Sequence, residues 1–487
     1  MNDISSDSSP ESPAVISLLS DISTPVAAFQ KLSQDKSTSF LFESTEGDSR
    51  LARYSFVGVD PVKTFSFSGG RVVVRGRLDE TPREIAVTNP LDFLRQALDE
   101  ARQGGLGGRP DLPFTGGLVG YLGYGATRYF ENIPQQEADP FGVPIGHYGL
   151  YDSVVLFDHQ YRRIKIVSHR GAQHARKLLD RLTAPAELSP LPDLENNISD
   201  DEVFDGVSGP FTQESFMALV DRSKQFIREG QVFQIVVSHR FSLAVSTSPL
   251  NVYRVLQAIN PSPYAYLLKC PGFTYLGSSP ETFVKCQDGQ VLLRALAGTR
   301  PRGRTEEEDA MLTQELRSDE KELAEHRMLV DLGRNDLGKV CAPGSVRVGE
   351  IATVTKYTHV MHLATEITGL LAPEKNCFDV FQSCFPRGTV SGAPKVRAMQ
   401  LLSQLEPEQR GIYSGVVGYF DFSGNMDGAI AIRSALLKDG MAHVNAGAGI
   451  VFDSKPEAEY HETRNKARSV IKAIKLAERT HDARHRN

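Results

Sequence analysis

The stretch DEKELAEHRMLVDLGRNDLG, residues 319–338, sets Glu322 and Glu325 three residues apart, and EYHETRNKA, residues 459–467, does the same with Glu459 and Glu462. Both stretches are rich in helix formers, and on a helix residues i and i+3 share a face, where like charges repel by a few tenths of a kcal/mol. A solvated face accounts for one such pair; two invite another explanation. Leu329 and Leu332, four and seven residues beyond Glu325, continue its face as an apolar stripe, which predicts that the face turns inward. Buried carboxylates without a partner are driven to take up protons. A hard divalent cation removes that difficulty, since Mg²⁺ prefers carboxylate oxygens and keeps waters or substrate oxygens in its other positions. The two pairs therefore point to a substrate held through a metal.

Composition narrows the class of substrate. With 54 Lys+Arg against 60 Asp+Glu, the 487 residues carry a formal charge of −6 and offer no basic field to nucleic acid. No run approaches 18 uninterrupted apolar residues, so no membrane segment is expected, and MNDISSDSSPESP is an acidic, Ser/Pro-rich start rather than a signal peptide. The five cysteines, at 270, 286, 341, 377 and 384, are odd in number and lack a C-x-x-C spacing, so they read as reduced thiols of a cytoplasmic enzyme. Tryptophan is absent from the whole chain.

Working outward, residues 1–17 read as a disordered N-terminus. From 18 to 170 strand-like runs such as TFSFSGGRVVVRG and YDSVVLFDHQYRRIKIVSH flank a helical segment, PLDFLRQALDEARQ. Residues 184–210 are rich in Pro, Asp and Asn, have no periodicity and read as a linker. From 211 to 478 helices such as TQESFMALVDRSKQFIREG alternate with strands such as VFQIVVSHRFSL and DGAIAIRSALLKDG, and 479–487 form a basic tail. No internal repeat is present. The pattern predicts an α+β (or α/β) enzyme with a smaller N-terminal and a larger C-terminal region.

The larger region carries further signals, each ambiguous alone. FPRGTVSGAPKVRAMQLL (385–402) sets glycines and a proline ahead of an amphipathic helix, which suits an anion at a helix N-terminus or a plain turn. In VNAGAGIV (444–451) the glycines allow a ligand close to the backbone or mark a bulge. Arg433, in the strand-like AIAIRSALL, requires an anion, either a protein carboxylate or a substrate carboxylate. His362, in the apolar THVMHLATE, is a core residue or a catalyst.

Taken in order and spacing, GSSPETF, RALAGTRPRG, DEKELAEHRMLVDLGRNDLG, KYTHVMHL, FPRGTVSGAPKVRAMQLL, YSGVVGYF and ETRNKARSVIKAI resemble the chorismate-utilising enzymes. The resemblance spans about residues 18–478 and is nearest to the large, ammonia-using subunits of anthranilate synthases. It implies large β-sheets flanked by helices, with 18–170 as a regulatory region and 211–478 as the chorismate-binding part. It also implies that Mg²⁺ bridges the substrate's ring carboxylate to Glu325 and Glu462, supported by Glu322 and Glu459. The second carboxylate would meet Arg433, Tyr413 and the backbone of Gly447, Ala448 and Gly449, with Gly298 and Thr299 along the ring and Lys466 as a further anion contact. Glu281 would be the general acid for the departing hydroxyl, and His362 would serve the elimination of pyruvate.

Two positions separate members of the family. Isochorismate and salicylate synthases carry a lysine base where this chain has Gln234, and aminodeoxychorismate synthases a nucleophilic lysine where it has Ala297. Aminodeoxychorismate synthase component I is thus the alternative reading. Ala295 and Leu296 depart slightly from the usual PIAGT pattern, a packing variation. Nothing in the chain resembles a glutaminase, so the resemblance implies a glutamine amidotransferase partner subunit and a hetero-oligomer. FLFES (40–44) and NPSPYAY (260–266) resemble the two sides of an L-tryptophan inhibitor pocket, with Ser44, Pro263, Tyr264 and Ala265 as contacts. A chain without tryptophan suits an enzyme that must be made when tryptophan is scarce.

Overall fold

A computed structural model describes residues 12–44, 53–79, 81–109, 111–134, 136, 138–185, 191, 198–357 and 360–485. Two large antiparallel sheets organise them. The first has eleven strands, in the order Ala14–Leu19, Arg163–Ser168, Ser153–Asp158, Tyr54–Val59, Ser39–Glu43, Tyr264–Cys270, Phe273–Ser279, Ser434–Lys438, Met441–Ile450, Gln234–Ala244 and Gly392–Ala393. The second has twelve and runs from Arg347–Val348 through Val360–Leu370, Gln290–Pro301, Thr282–Gln287, Met426–Ile430 and Val416–Asp421 to Gly117–Leu122, Gly146–Tyr151, Lys63–Ser68, Arg71–Gly76 and Arg83–Ala86. Thr353–Lys356 pairs with Val360–Leu370 off that path.

Alternation along the strands explains why the sheets stack. Phe40, Tyr266 and Leu268 point into a core shared with Tyr121, Val417 and Ala429 of the other sheet, whereas Leu41 and Leu267 point to the opposite face, the period-2 pattern of a strand buried on both sides. That opposite face is covered by helices Pro25–Ser33, Ala172–Thr183, Pro249–Ile259 and Pro456–His485. The outer face of the second sheet is covered by Pro90–Gln103, Glu320–Gly338 and Cys377–Cys384. The result is four layers, with helices on the outside and the two sheets within. All five cysteines are free and buried, and among the described residues no helix is long and apolar enough to cross a membrane.

Several local expectations change. Residues 1–11 lie outside the described residues, but Ala14–Leu19 is a strand paired with Arg163–Ser168, because alternation buries Ile16 against the helices. Within 184–210, residues 186–190 and 192–197 lie outside the described residues; beyond them Asp200–Phe204 is a short helix with a Ser199 capping box, and Ile198 and Val203 join the core. The backbone of the final helix continues through the presumed tail to His485. Strands from 14–168 and from 234–450 enter both sheets, so the 184–210 segment is not a boundary between layers.

The largest departure concerns DGAIAIRSALLKDG. It is not one strand: Met426–Ile430 belongs to the twelve-stranded sheet and Ser434–Lys438 to the eleven-stranded one. The chain passes between sheets at 431–433, and Arg433 takes a left-handed conformation there, φ 51°.

Candidate active site

Two such passages lie side by side. Phe273–Ser279 leaves the eleven-stranded sheet and Thr282–Gln287 starts in the other, with Glu281 between them. The Ser278 N–H donates to the Arg433 carbonyl at 3.1 Å and the Ile430 N–H to the Glu281 carbonyl at 3.1 Å. Glu281 and Arg433, 152 positions apart in number, are thereby tied together at the seam of the sandwich. Burial raises the Glu281 carboxyl above its ordinary range, opposed by the charges of Arg387, Lys466 and Arg433 and by a 2.8 Å hydrogen bond from the Thr389 hydroxyl. Burial likewise disfavours the charged form of the Arg433 guanidinium, while Tyr413, Glu462 and Glu281 favour it.

The 444–451 segment lies beside this seam. Met441–Ile450 pairs with Gln234–Ala244 along its length, but its other neighbour, Ser434–Lys438, stops opposite Val444. Among the described residues, one edge of the strand therefore has no ladder partner from 445 onward, so backbone there can meet a ligand. A Cβ on Gly447 would stand 2.8 Å from the Tyr413 hydroxyl and one on Gly449 2.9 Å from Gln234 Nε2, which gives the two glycines their purpose: close approach. Ala448 alternates away, its side chain buried among Phe216, Leu402 and Ile450, so only its backbone can serve the cleft. Lys466 Nζ caps the Gly447 carbonyl at 2.9 Å and pairs with Glu462 at 2.5 Å.

Helix Glu320–Gly338 and the end of strand Gln290–Pro301 form another wall. Asp319 caps this helix, its side chain accepting from Glu322 N at 3.1 Å, and Arg300 fixes Asp319 at 2.9 Å. The Gln290–Pro301 strand slips register between Ala297 and Arg300, and Gly298 occupies the bulge at φ 60°, where a Cβ would come 3.2 Å from Glu322 Oε2. The bulge turns the Gly298 carbonyl to His362, whose Nδ1 lies 2.8 Å from it and 3.1 Å from the Thr299 hydroxyl. A carbonyl only accepts, so Nδ1 carries the proton and Nε2 is the unprotonated nitrogen of the neutral ring. Burial lowers the affinity of His362 for a second proton.

One member of each glutamate pair is disfavoured as an anion. Desolvation raises Glu322, with Glu325 as its nearest repelling charge, and raises Glu459, with Glu462 in the same role. Among the described residues, Glu459 Oε2 is buried without a hydrogen-bond partner. Glu325 accepts from the Gln234 amide at 2.8 Å. Among the described residues, no three carboxylate, imidazole or thiol groups stand close enough to hold a metal by themselves. The donor chemistry nevertheless fits Mg²⁺, which is commonly bound through one or two carboxylates with waters and substrate oxygens supplying the rest, and the orphaned Glu459 oxygen is the kind of atom such an ion satisfies.

Every residue singled out for substrate, acid or metal thus lies on the elements around this seam. Three others were not anticipated: Thr389, Arg387 and the anchoring of Glu325 by Gln234. Their separations, 108 residues between Thr389 and Glu281 and 91 between Gln234 and Glu325, leave no local signal. Ahead of helix Lys395–Leu405, Gly388 and Gly392 are buried while Pro394 is exposed, and Lys395 is paired with Asp336 at 2.8 Å.

The four residues expected in an inhibitor pocket lie elsewhere, in one cavity of about 550 Å³. Ser44, Pro263, Tyr264 and Ala265 line it together with Phe42, Tyr54 and Tyr419. Pairing of Ser39–Glu43 with Tyr264–Cys270 brings the two segments together, and the Ser44 hydroxyl donates to the Pro263 carbonyl at 2.8 Å.

Residues 37–472 match the family described as chorismate binding enzyme. The chain is 41% identical over 482 residues to the anthranilate synthase component 1 of Acetivibrio thermocellus, covering 96% of this chain and 95% of that protein. It is 42% identical over 489 residues to the component 1 of Synechocystis sp., covering 94% of each. The crystal structure of anthranilate synthase component I from Streptococcus pneumoniae superposes with a TM-score of 0.74 at 36% identity, covering 86% of this chain and 92% of that one. The menaquinone-specific isochorismate synthase of Escherichia coli superposes at 0.69 with 20% identity over 95% of this chain and 96% of that one, a likeness of fold alone.

Proposed function

The chain belongs to the chorismate binding enzyme family, and from that premise we propose that it is the large subunit of an anthranilate synthase, converting chorismate and ammonia to anthranilate and pyruvate in the route to tryptophan. One observation carries the choice within the family. At the cleft wall the chain presents the Gln234 amide, engaged with Glu325, where a water-activating enzyme needs a basic amine. The nucleophile must then arrive already basic, as ammonia is. Ala297, just before the bulge, offers no nucleophile for a covalent adduct.

In the first half-reaction the ammonia lone pair forms a bond to C2 and the C4–O bond breaks. The ring π pairs move from C1–C2 and C5–C6 to C1–C6 and C4–C5. The departing oxygen keeps its bond pair, takes the proton from the Glu281 carboxyl and leaves as water, and the nitrogen gives up a proton in turn. Burial favours the protonated form of Glu281 that this step needs. Arg433, Tyr413 and the free edge of Gly447–Gly449 hold the enolpyruvyl carboxylate, with Lys466 beside them. In the second half-reaction the C2 proton is lost, the C3–O bond breaks and pyruvate leaves. His362, with Nε2 unprotonated, faces that side of the ring next to Gly298 and Thr299. Glu325 and Glu462, with Glu322 and Glu459 in support, would hold Mg²⁺, which would supply positive charge to the ring carboxylate and help orient the substrate.

Glutamine-derived ammonia comes from a separate glutamine amidotransferase subunit, and tryptophan inhibits by filling the cavity at Ser44, Pro263, Tyr264 and Ala265. The protein acts in the cytoplasm. The test is to incubate the purified chain with chorismate, Mg²⁺ and either an ammonium salt at elevated pH or glutamine, and to identify the product by fluorescence and mass. Anthranilate from ammonium alone is expected; a 4-amino product, isochorismate, or turnover with glutamine by the isolated chain overturns the assignment.

A further inference from the structure

The segment ahead of the short turn Gly388–Val390 buries an arginine that none of the roles above employs. Arg387 is 3% exposed. Among the described residues its guanidinium has no carboxylate at ion-pair distance, its Nε has no hydrogen-bond partner, and its one bond, from Nη2 to the Arg294 carbonyl, is long at 3.5 Å. A buried cation left in that condition is costly, and packing alone would be better served by an apolar side chain. Two residues on, Thr389 holds Glu281 Oε1 through its hydroxyl at 2.8 Å, so the same turn that anchors the acid carries the unpaired charge.

We propose that Arg387 is a positioning residue for the leaving-group proton: its buried, unpaired charge, two residues from the Thr389 that holds Glu281, stabilises the carboxylate left when the proton is handed to the C4 oxygen. The inference rests on Glu281 being the general acid. The charged groups around that carboxyl are Arg387 from the turn, Lys466 from helix Pro456–His485 and Arg433 from the passage between sheets, and of these Arg387 acts on it most strongly. Lys466 and Arg433 have other work: Lys466 is paired with Glu462, and Arg433 stands where a substrate carboxylate would neutralise it. Only Arg387 remains uncompensated once substrate is bound, when the proton moves.

The sign of the effect is definite. A general acid must be protonated, so kcat falls as pH rises through its pKa in the enzyme–substrate complex. Removing the cation makes the proton harder to lose, which moves this alkaline limb to higher pH and lowers the plateau. The experiment compares the ammonia-dependent kcat of wild type, Arg387→Gln, Arg387→Met and Arg387→Lys between pH 6 and 10 at constant free ammonia. Two neutral variants are made so that one folded protein suffices. A limb raised by about one pH unit with a plateau about tenfold lower is expected for the neutral variants, with the limb returned close to that of wild type by Arg387→Lys. A neutral variant whose limb does not move overturns the proposal whatever its plateau, as does a lysine variant displaced as far as the glutamine one. Glu281→Gln, measured in parallel, separates the two readings: if it keeps wild-type turnover and limb, the general-acid assignment itself fails, whereas if it loses both while Arg387→Gln keeps its limb in place, only the role of Arg387 is wrong.

Discussion

Replacing Arg410 with methionine tests how the floor of the cleft is held. The Arg410 guanidinium and the Glu406 carboxylate are 1% and 3% exposed and paired at 2.6 Å. Arg410 also donates to the carbonyls of Val390 at 2.7 Å and Val236 at 2.6 Å and to the Ser414 hydroxyl at 3.1 Å, and it packs 4.5 Å over the Tyr124 ring. One side chain thus joins strand Gln234–Ala244, the turn at Gly388–Val390 and the turn bearing Tyr413. Methionine fills the space but leaves a buried carboxylate with the Ser238 N–H, at 2.8 Å, as its remaining donor. Breaking a buried pair in this way costs about 3–5 kcal/mol. The surviving amide bond lowers that figure and the two carbonyls left without donors raise it, so we expect about 4 kcal/mol. At about 2 °C per kcal/mol for a large chain, Tm falls by about 8 °C. Tyr413 and Ser414, the latter at φ 65°, lose their anchor, so KM for chorismate rises more than kcat falls. The assay is thermal melting with steady-state kinetics, repeated on Arg410→Met with Glu406→Leu, which removes the orphaned charge and recovers most of the stability. A single variant that melts within 2 °C of the parent with unchanged KM, or a double variant no more stable than the single, refutes the reasoning.

Ser44→Phe fills the cavity at the Pro263 carbonyl, so inhibition by tryptophan weakens by about tenfold or more while uninhibited turnover is kept; an unchanged inhibition curve removes the regulatory assignment. Gly447→Ala places a methyl 2.8 Å from the Tyr413 hydroxyl and 3.1 Å from the Val237 carbonyl, and the clash raises KM for chorismate by about tenfold; wild-type KM in a folded variant shows that this approach is not used. Glu462→Ala removes one carboxylate from a cation that tolerates poor geometry badly and abolishes turnover with little change in melting, whereas Glu307→Ala on an exposed first turn does not. Near-normal activity of Glu462→Ala at ordinary Mg²⁺ concentrations sinks the metal assignment.

Helix Pro90–Gln103 spans the residues its pattern marks, with Asn89 as cap and Pro90 at the first position, because an amphipathic stripe and a cap are written within a few turns of chain. The glutamate pairs were legible for the same reason: i, i+3 spacing is local, and helix Glu320–Gly338 displays it. The passage at 431–433 was not. Ile430 and Ser434 are both buried and strand-like residues continue on either side, so hydropathy runs on unbroken while the partner sheet changes. Only a left-handed Arg433, seen in the folded chain, reveals the switch, and with it why Arg433 and Glu281 meet.

By itself the sequence determined the two acidic helix faces, the glycines of 447–449, the lack of a net basic charge and of long apolar runs and, through its motifs, the family. These are properties of short windows, in which spacing along the chain converts directly into direction in space. The tertiary structure alone decided which windows became neighbours: Thr389 against Glu281, Gln234 beside Glu325, Ser44 against Pro263 across 219 residues. Such contacts follow from which strand finds which edge as two sheets bury a common core, and that choice is made by the summed burial of the whole chain.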